Sequence, residues 1–338
     1  MGIEIGKHKT RNRVFLAPMS GVTDEAFRTA AHEAGAGLVV SEMVASEELV
    51  RQRRDMVRRA KGARQLSPFV IQLAGREARW MAEGTRVAQD LGADIIDINM
   101  GCPARQVTGG LSGSALMRNL DHAISLVEAT VAAATVPVTL KMRLGWDERS
   151  MNAPELARRA EAAGIALITV HGRTRCQFYT GKADWLAIRA VREAIKIPLV
   201  ANGDCQNAAD AKAMMAESGA DAVMVGRGAY GRPWWPAVIA DEMEKGTGRA
   251  EPSLAEELNI LAKQQADTVA LYGEALGNKT FRKHLGWALT RLHARGQLDG
   301  AQVAEARVQL LTQKDNGKVA QGMSEIYGSA SSARELAA

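Results

Sequence analysis

Four segments of this chain repeat one local pattern, a helix end, a turn of small residues and an apolar strand: AGAGLVVS (34–41), LGADIIDI (91–98), AGIALITV (163–170) and SGADAVMV (218–225). Strands of a second kind lie between them, PFVIQLA (68–74), PVTLKM (137–142) and PLVANG (198–203), each opened by a proline, and RVFLA (13–17) supplies one more at the start. All are continuous apolar runs, as parallel strands covered on both faces are. Helical patterns of ten or more residues separate most of them, among them 77–91, 154–163 and 207–217, as right-handed β-to-α crossovers require. Eight such strands in about 230 residues predict a (β/α)8 TIM barrel. A doubly wound open sheet is the competing fold, and the repeat argues against it.

The barrel pattern ends near Asp241, where EKGTGRAEPS (244–253) places Gly246, Gly248 and Pro252 together. Ser253 and Glu256 have capping-box spacing, and helical patterns follow over 253–271, 279–295, 298–312 and 318–327. The expected organisation is therefore a barrel over 1–243, a small all-helical bundle over 250–328 and a flexible tail over 329–338. No run of about 18 uncharged apolar residues occurs, so no membrane association is expected and the chain reads as cytoplasmic. Cys102, Cys176 and Cys205 are odd in number and far apart, which disfavours disulfides and structural zinc and leads to an expectation of no metal. The 43 Lys and Arg exceed the 38 Asp and Glu by a small margin, a weak pointer to a polyanionic partner.

Active sites of such barrels lie at the carboxyl ends of the strands. Those ends carry Pro18 and Met19, Glu42, Gln72, Asn99, Lys141 with Arg143, His171, Asn202 with Asp204, and Gly226 with Arg227. Any one could be a capping or turn residue, but together they outline a ring of polar groups about one concave site. Strands seven and eight end in NGD and GRG, turns whose amides can face a phosphate. Gly226 to Gly231 also matches GxGxxG, yet it sits on the last strand rather than in a first βαβ unit, so the dinucleotide reading is set aside. Lys141, within the apolar run VTLKMR, needs an anionic partner such as a carboxylate or a reduced flavin. Gln72 could hydrogen-bond a flavin's polar edge or be a satisfied core amide. Cys102 could be a core thiol, a nucleophile or a general acid, and the Gly101–Pro103 turn that would aim it into the site favours function. The glycines of ARQVTGGLSGSALM suit a mobile flap. From Ala275 to Leu298 there is no carboxylate, while Lys279, Arg282, Lys283, His284, Arg291, His293 and Arg295 all occur. With Phe281, Leu285, Leu289 and Leu292 forming the apolar stripe, these cations are expected to face phosphates. Arg51, Arg53, Arg54, Arg58, Arg59, Lys61 and Arg64 form a second, weaker patch.

APMSGVTDEAFR (17–28), QLAG (72–75), DINMGCP (97–103), GSALM (113–117), KMRLGW (141–146), HGRTR (171–175), NGD (202–204) and GRGAYGRPWW (226–235) together resemble the tRNA-dihydrouridine synthases, most closely the bacterial B-type. The resemblance spans about residues 11 to 310. It implies an FMN enzyme that reduces the C5–C6 bond of selected uridines in tRNA, in the D-loop, with NADPH or NADH as reductant. Oligomeric state is not legible in the sequence; a monomer without an obligate protein partner is the default expectation. The resemblance further implies Pro18 and Met19 against the isoalloxazine, Gln72 and Lys141 at its polar edge, and Asn202, Gly203, Asp204, Gly226 and Arg227 at the phosphate end beside His171. Asn99 would bind uracil, Cys102 would give C5 its proton, and Arg143 and Arg173 would meet the RNA. A protonated thiol of ordinary pKa suits that role. A related flavin barrel acting on free pyrimidines or dihydroorotate, and an RNA-binding protein with a vestigial barrel, are the other readings.

Overall fold

The structure, a computed structural model, describes residues 2–62, 66–246 and 251–337; Arg64 and Gly248 lie outside the described residues. Eight parallel strands form its centre: β1 (Val14–Leu16), β2 (Val44–Ala45), β3 (Val70–Ala74), β4 (Ile95–Met100), β5 (Val138–Arg143), β6 (Leu167–His171), β7 (Leu199–Asn202) and β8 (Ala222–Val225). They pair in the order β1-β8-β7-β6-β5-β4-β3-β2, and bridges from Leu16 to Val39 and from Val40 to Val70 close the ring. The expected (β/α)8 barrel is therefore present, with one local difference. The second strand, expected as a continuous run over 34–41, is only bridged there, and its regular pairing falls at Val44–Ala45. The reason is local: the Ser41 hydroxyl, rather than a strand carbonyl, accepts the Gln72 amide at 2.9 Å, interrupting the ladder.

The apolar runs conceal an alternation that sets up the site. Successive strand residues point to opposite faces. Val70, Ile95, Leu167, Val200, Ala222 and Met224 pack with Phe15 inside the barrel, above Ile3 and Ile5 of the N-terminal hairpin. Ile71, Leu73, Ile96, Ile98, Leu140 and Val170 face outward under the helices. Two residues on from the interior apolar layer, the same inward face carries Gln72, Asp97, Thr169, Asn202 and, higher still, Asn99, Lys141 and His171. Their register is explicit: Gln72 pairs with Asp97, Asn99 with Lys141, and His171 with Asn202.

The outer helices of ten residues or more are α1 (Glu25–Ala34), α2 (Ala78–Asp90), α3 (Leu120–Ala133), α4 (Ala153–Ala162), α5 (Ala208–Ser218) and α6 (Trp235–Lys245). Short polar residues start several of them. Asp24, Asn119 and Asn207 each accept an amide of the first turn.

The second unit comprises α7 (Leu254–Tyr272), α8 (Glu274–Ala294), α9 (Gly300–Thr312) and α10 (Asn316–Ala337). The Ser253–Glu256 capping box forms as its spacing predicts, and Asp299 with Gln302 makes a second. The last helix continues to Ala337, through the span read from sequence as a tail. Phe281, Leu285, Leu289 and Leu292 do form one buried stripe, packed with Leu261, Leu310, Val319 and Met323. Truncating Phe281 to alanine would cost about 3–5 kcal/mol through lost burial and the cavity left behind. Among the described residues no helix is long and apolar enough to cross a membrane.

Candidate active site

A cavity of about 400 Å3 opens at the carboxyl ends of the strands. Pro18, Met19, Gln72, Asn99, Cys102, Lys141, Arg143, His171, Asn202, Gly203, Asp204, Gly226 and Arg227 all line it. The strand-end ring read from the sequence thus converges on one space.

A chain of buried side chains fixes the wall beside Cys102. Thr139 Oγ1 donates to Asp97 Oδ1 at 2.6 Å, Gln72 Nε2 donates to Asp97 Oδ2 at 2.6 Å, and Asn99 Nδ2 donates to Gln72 Oε1 at 2.7 Å. Asn99 Oδ1 in turn accepts the amides of Gly101 at 3.2 Å and Cys102 at 3.0 Å. Asn99 therefore holds the turn that carries the cysteine while one Nδ2 hydrogen stays uncommitted. Burial pushes the Cys102 thiol above its ordinary 9.0, against the lowering effect of the Ala104 amide and of Arg143 and Lys141. The thiol is accordingly protonated at neutral pH.

Lys141 sits across this wall. Its Nζ donates to Asn202 Oδ1 at 2.9 Å, and burial, assisted by Arg143, lowers its pKa to about 8. Asn202 Nδ2 is tied to the Met224 carbonyl, so its oxygen must face the lysine. No carboxylate pairs with Lys141 in a salt bridge among the described residues, which leaves a buried ammonium facing the cavity.

At the opposite end, Asp204 gathers cations. Arg173 donates to both its carboxylate oxygens, at 3.0 and 2.5 Å, and Arg227 to Oδ1 at 2.9 Å. Hydrogen bonds from Arg173 and the Ala183 amide hold its pKa low although burial opposes them. Asp204 thus orients the two guanidiniums. Gly203, at φ 126°, lies where a Cβ would come within 2.7 Å of Ala183 Cβ and 2.9 Å of the His171 ring. Glycine is required there both for conformation and for space. A Cβ on Gly226 would make ordinary contact with Met19 Sδ at 3.8 Å and Ala17 Cβ at 3.9 Å, so glycine here leaves the backbone at the end of β8 bare toward the cavity. His171 is kept neutral by burial and by the surrounding Arg143, Lys141, Arg173 and Arg227. Its Nε2 faces Arg173 Nη1 at 3.3 Å, which makes Nε2 the acceptor and puts the proton on Nδ1.

Two arginines expected at the RNA are buried and carry structural partners. Arg143 is 1% exposed and donates to the carbonyls of Gly101, Thr174 and Phe178 at 2.8–3.0 Å. Arg173 is equally buried and engages Asp204 and the carbonyls of Thr180 and Gly181. Sequence reasoning missed the aromatic residues at the mouth. Phe178 and Tyr179, each 45% exposed, meet edge to face, and Arg143 and Arg227 lie 5.5 and 5.2 Å from the Tyr179 ring. Tyr230 also lines the cavity and stacks on Trp287 of α8 at 4.1 Å. Beside it a Gly231 Cβ would lie 2.7 Å from Trp287 Cβ, so barrel loop and helix touch backbone to side chain. All three aromatics sit in loops with no period. The only signal was their place shortly after HGRTR and within GRGAYG.

The basic face of α8 is corrected in the same way. His284 is buried, stacked between Phe27 and Phe281, with both ring nitrogens lacking a hydrogen-bond partner. Burial drives its pKa to about 3. Arg291 and Arg295 bind Glu257 of α7 at 2.6–2.7 Å, and Arg295 also pairs with Glu251. Carboxylates absent from 275–298 thus arrive from the preceding helix. Lys279 is exposed, and Arg282 and Lys283 line a groove of about 360 Å3 with Gly286, Trp287, Leu311 and Arg307. In the second patch, Arg51 pairs with Glu47, and Arg53 with Glu48 and Asp55. Arg58 stacks on Tyr272.

The family profile described as "Dihydrouridine synthase (Dus)" matches residues 15–320. This chain belongs to the dihydrouridine synthase family. A probable tRNA-dihydrouridine synthase of Rhizobium leguminosarum bv. phaseoli is 59% identical over 281 residues, 83% of this chain and 86% of that protein. The tRNA-dihydrouridine synthase B of Xanthomonas axonopodis pv. citri is 44% identical over 285 residues, 84% of this chain and 86% of that one. Among solved structures, histamine dehydrogenase from Rhizobium sp. 4-9 superposes with a TM-score of 0.57 at 15% identity, covering 97% of this chain and 64% of that one. Morphinone reductase in complex with tetrahydroNAD gives 0.51 at 16% identity, covering 76% and 93%. At such identities these two speak for the barrel fold alone. Dihydrouridine synthases are oxidoreductases, and the strand-end cavity is where this one has its concentration of polar and titratable groups.

Proposed function

We propose that the protein is a tRNA-dihydrouridine synthase that binds FMN in the strand-end cavity, is recharged by NADPH or NADH, and reduces the C5–C6 bond of selected D-loop uridines. The observation that carries this reading is the pairing of a protonated, half-buried thiol with a buried ammonium lacking a carboxylate salt bridge, both on the wall of a single 400 Å3 cavity. The residues fit FMN. Lys141 and Gln72 suit the electron-rich pyrimidine edge, Pro18 and Met19 offer an apolar floor, and the amides around Gly203 and Gly226 with Arg227 suit a phosphate. Asp204 serves there by aiming Arg227, since its own charge repels a phosphate. Held by these residues, FMN would supply the hydride that uracil C6 takes up.

The chain's own residues do the remainder. Asn99 presents its free Nδ2 hydrogen to the uracil edge and fixes the Cys102 turn. Cys102 holds the proton that C5 takes up, quenching the enolate-like charge. Tyr179 at the mouth offers a face for a base turned out of its stack, a movement that costs a few kcal/mol and must be offset by contacts elsewhere. Lys279, Arg282, Lys283 and Arg307 around the α8–α9 groove supply such contacts, in place of His284, Arg291 and Arg295.

The test is purified protein loaded with FMN and given NADPH and tRNA transcript, with nucleosides read by mass spectrometry. Dihydrouridine is expected, and Cys102→Ala should retain flavin while making little product. Protein that cannot be loaded with flavin, or that turns over free uracil or dihydroorotate but not tRNA, would overturn the proposal.

A further inference from the structure

Three segments that follow strand ends meet beside the mouth of the cavity. Leu144 to Trp146, after β5, and Arg173 to Cys176, after β6, are laced by backbone hydrogen bonds: Leu144 N to Arg173 O at 3.2 Å, Arg175 N to Gly145 O at 3.0 Å and Cys176 N to Trp146 O at 2.9 Å. The third is the turn Gly113–Arg118, which is seated on the cysteine loop through Ser114, whose amide and hydroxyl both donate to Cys102 O. Together they bring two guanidiniums to one indole. The carbons of Arg118 and Arg175 each lie 4.9 Å from the centroid of the Trp146 ring.

This arrangement is not explained by folding. Two like charges on one ring repel each other, and neither arginine forms a salt bridge among the described residues. The adjacent Asp147 accepts from the Arg149 amide and the Ser150 hydroxyl of its own loop. Arg175 donates only weakly, to Thr108 Oγ1 at 3.4 Å, and its buried Nε has no partner. Stacking on an indole holds a guanidinium plane and leaves its N–H edge free, the geometry that grips phosphate oxygens in pairs.

We infer that Arg118 and Arg175, stacked on Trp146, bind the RNA phosphate next to the uridine that enters the cavity. The inference rests on the proposed tRNA activity and adds to it the point at which the backbone is held close to the reacting base. A nucleotide inserted into the cavity leaves its flanking phosphates outside it, and Arg118 and Arg175, on segments continuous with the cavity-lining Cys102, Arg143 and His171, have no carboxylate salt bridge among the described residues to compete for them. Through Thr108 and Ser114 the same anion would steady the segments that carry Cys102.

The test measures tRNA affinity of the flavin-loaded protein against salt concentration for wild type, Arg118→Gln and Arg175→Gln, with flavin content and the rate of flavin reduction by NADPH as controls. Each variant should bind tRNA about tenfold more weakly. Each should also lower the slope of log affinity against log salt by about 0.7–0.9, the signature of one lost phosphate contact. Flavin content and its reduction should not change. A purely structural role for Arg175 would slow product formation without altering the slope. Unchanged slope and affinity in Arg118→Gln, whose side chain is exposed, would overturn the inference whatever happens to Arg175→Gln. A wild-type protein inert towards tRNA would instead strike at the proposed function.

Discussion

Replacing Glu257 by glutamine separates the two roles open to the arginines of α8. Glu257 is fully buried, takes both Nη atoms of Arg291 at 2.6 and 2.7 Å, and shares Oε1 with Arg295 at 2.7 Å. The substitution keeps volume but removes the charge and turns one acceptor oxygen into a donor that faces a guanidinium. Arg291, at 10% side-chain exposure, has little water to compensate it. Removing one partner of a buried ion pair costs about 3–5 kcal/mol. For a unit of this size each kcal/mol moves the melting temperature by about 4–8 °C, so a fall of at least roughly 10 °C is expected in the transition of the helical unit. Calorimetry and urea unfolding followed by circular dichroism would measure it, with tRNA affinity recorded against salt below the transition. A loss under about 1 kcal/mol would refute the structural role. So would an Arg291→Gln variant of unchanged stability whose salt slope fell by about 0.9.

Other outcomes follow from the cavity. Because burial raises the Cys102 pKa above 9.0 and the proposed reaction uses the protonated thiol, product formation by flavin-loaded protein should hold steady through neutral pH and fall only as pH climbs past that value; single-turnover rates showing loss below pH 7 would mean a thiolate. Cys102→Ala should slow the same step by about 10²–10⁴-fold, with flavin absorbance unchanged. Lys141 in the free protein loses its proton near pH 8, so FMN affinity should weaken above that value, and fluorescence titration should find the dependence absent in Lys141→Gln. Gly203→Ala meets Ala183 and His171 at a positive φ, and should lower retained flavin along with thermal stability, as absorbance and calorimetry would show.

The barrel and its ring of strand-end groups were legible because each signal is local. A polar residue closing an apolar run, as in VIQ, DIN or ITVH, marks both the strand and its end within a few positions. The break of the second strand at Ser41 was not, since it depends on a hydroxyl meeting the Gln72 amide 31 positions away. The arginines of α8 misled for the same reason. Helical spacing put them on an outer face, whereas Glu257, 34 residues before Arg291, draws that part of the face into the bundle. The pairing of Arg173 was hidden because its carboxylate partner, Asp204, lies in the turn after another strand. What escapes a linear reading is pairing across the fold, by a neutral hydrogen bond at Ser41 and by charge at Arg173 and Arg291.

The contact of Gly231 and Tyr230 with Trp287 bears on how this protein could be recombined with its relatives. A helical unit transplanted from another synthase would arrive as the backing of one wall of the strand-end cavity, because Tyr230 lines the cavity and leans on α8. Residues 230 and 231 therefore belong with the donor's helix when chimeras are cut, although they lie before α6 in the barrel sequence. A junction in the loop ahead of α7 would divide one mechanical piece into two parents.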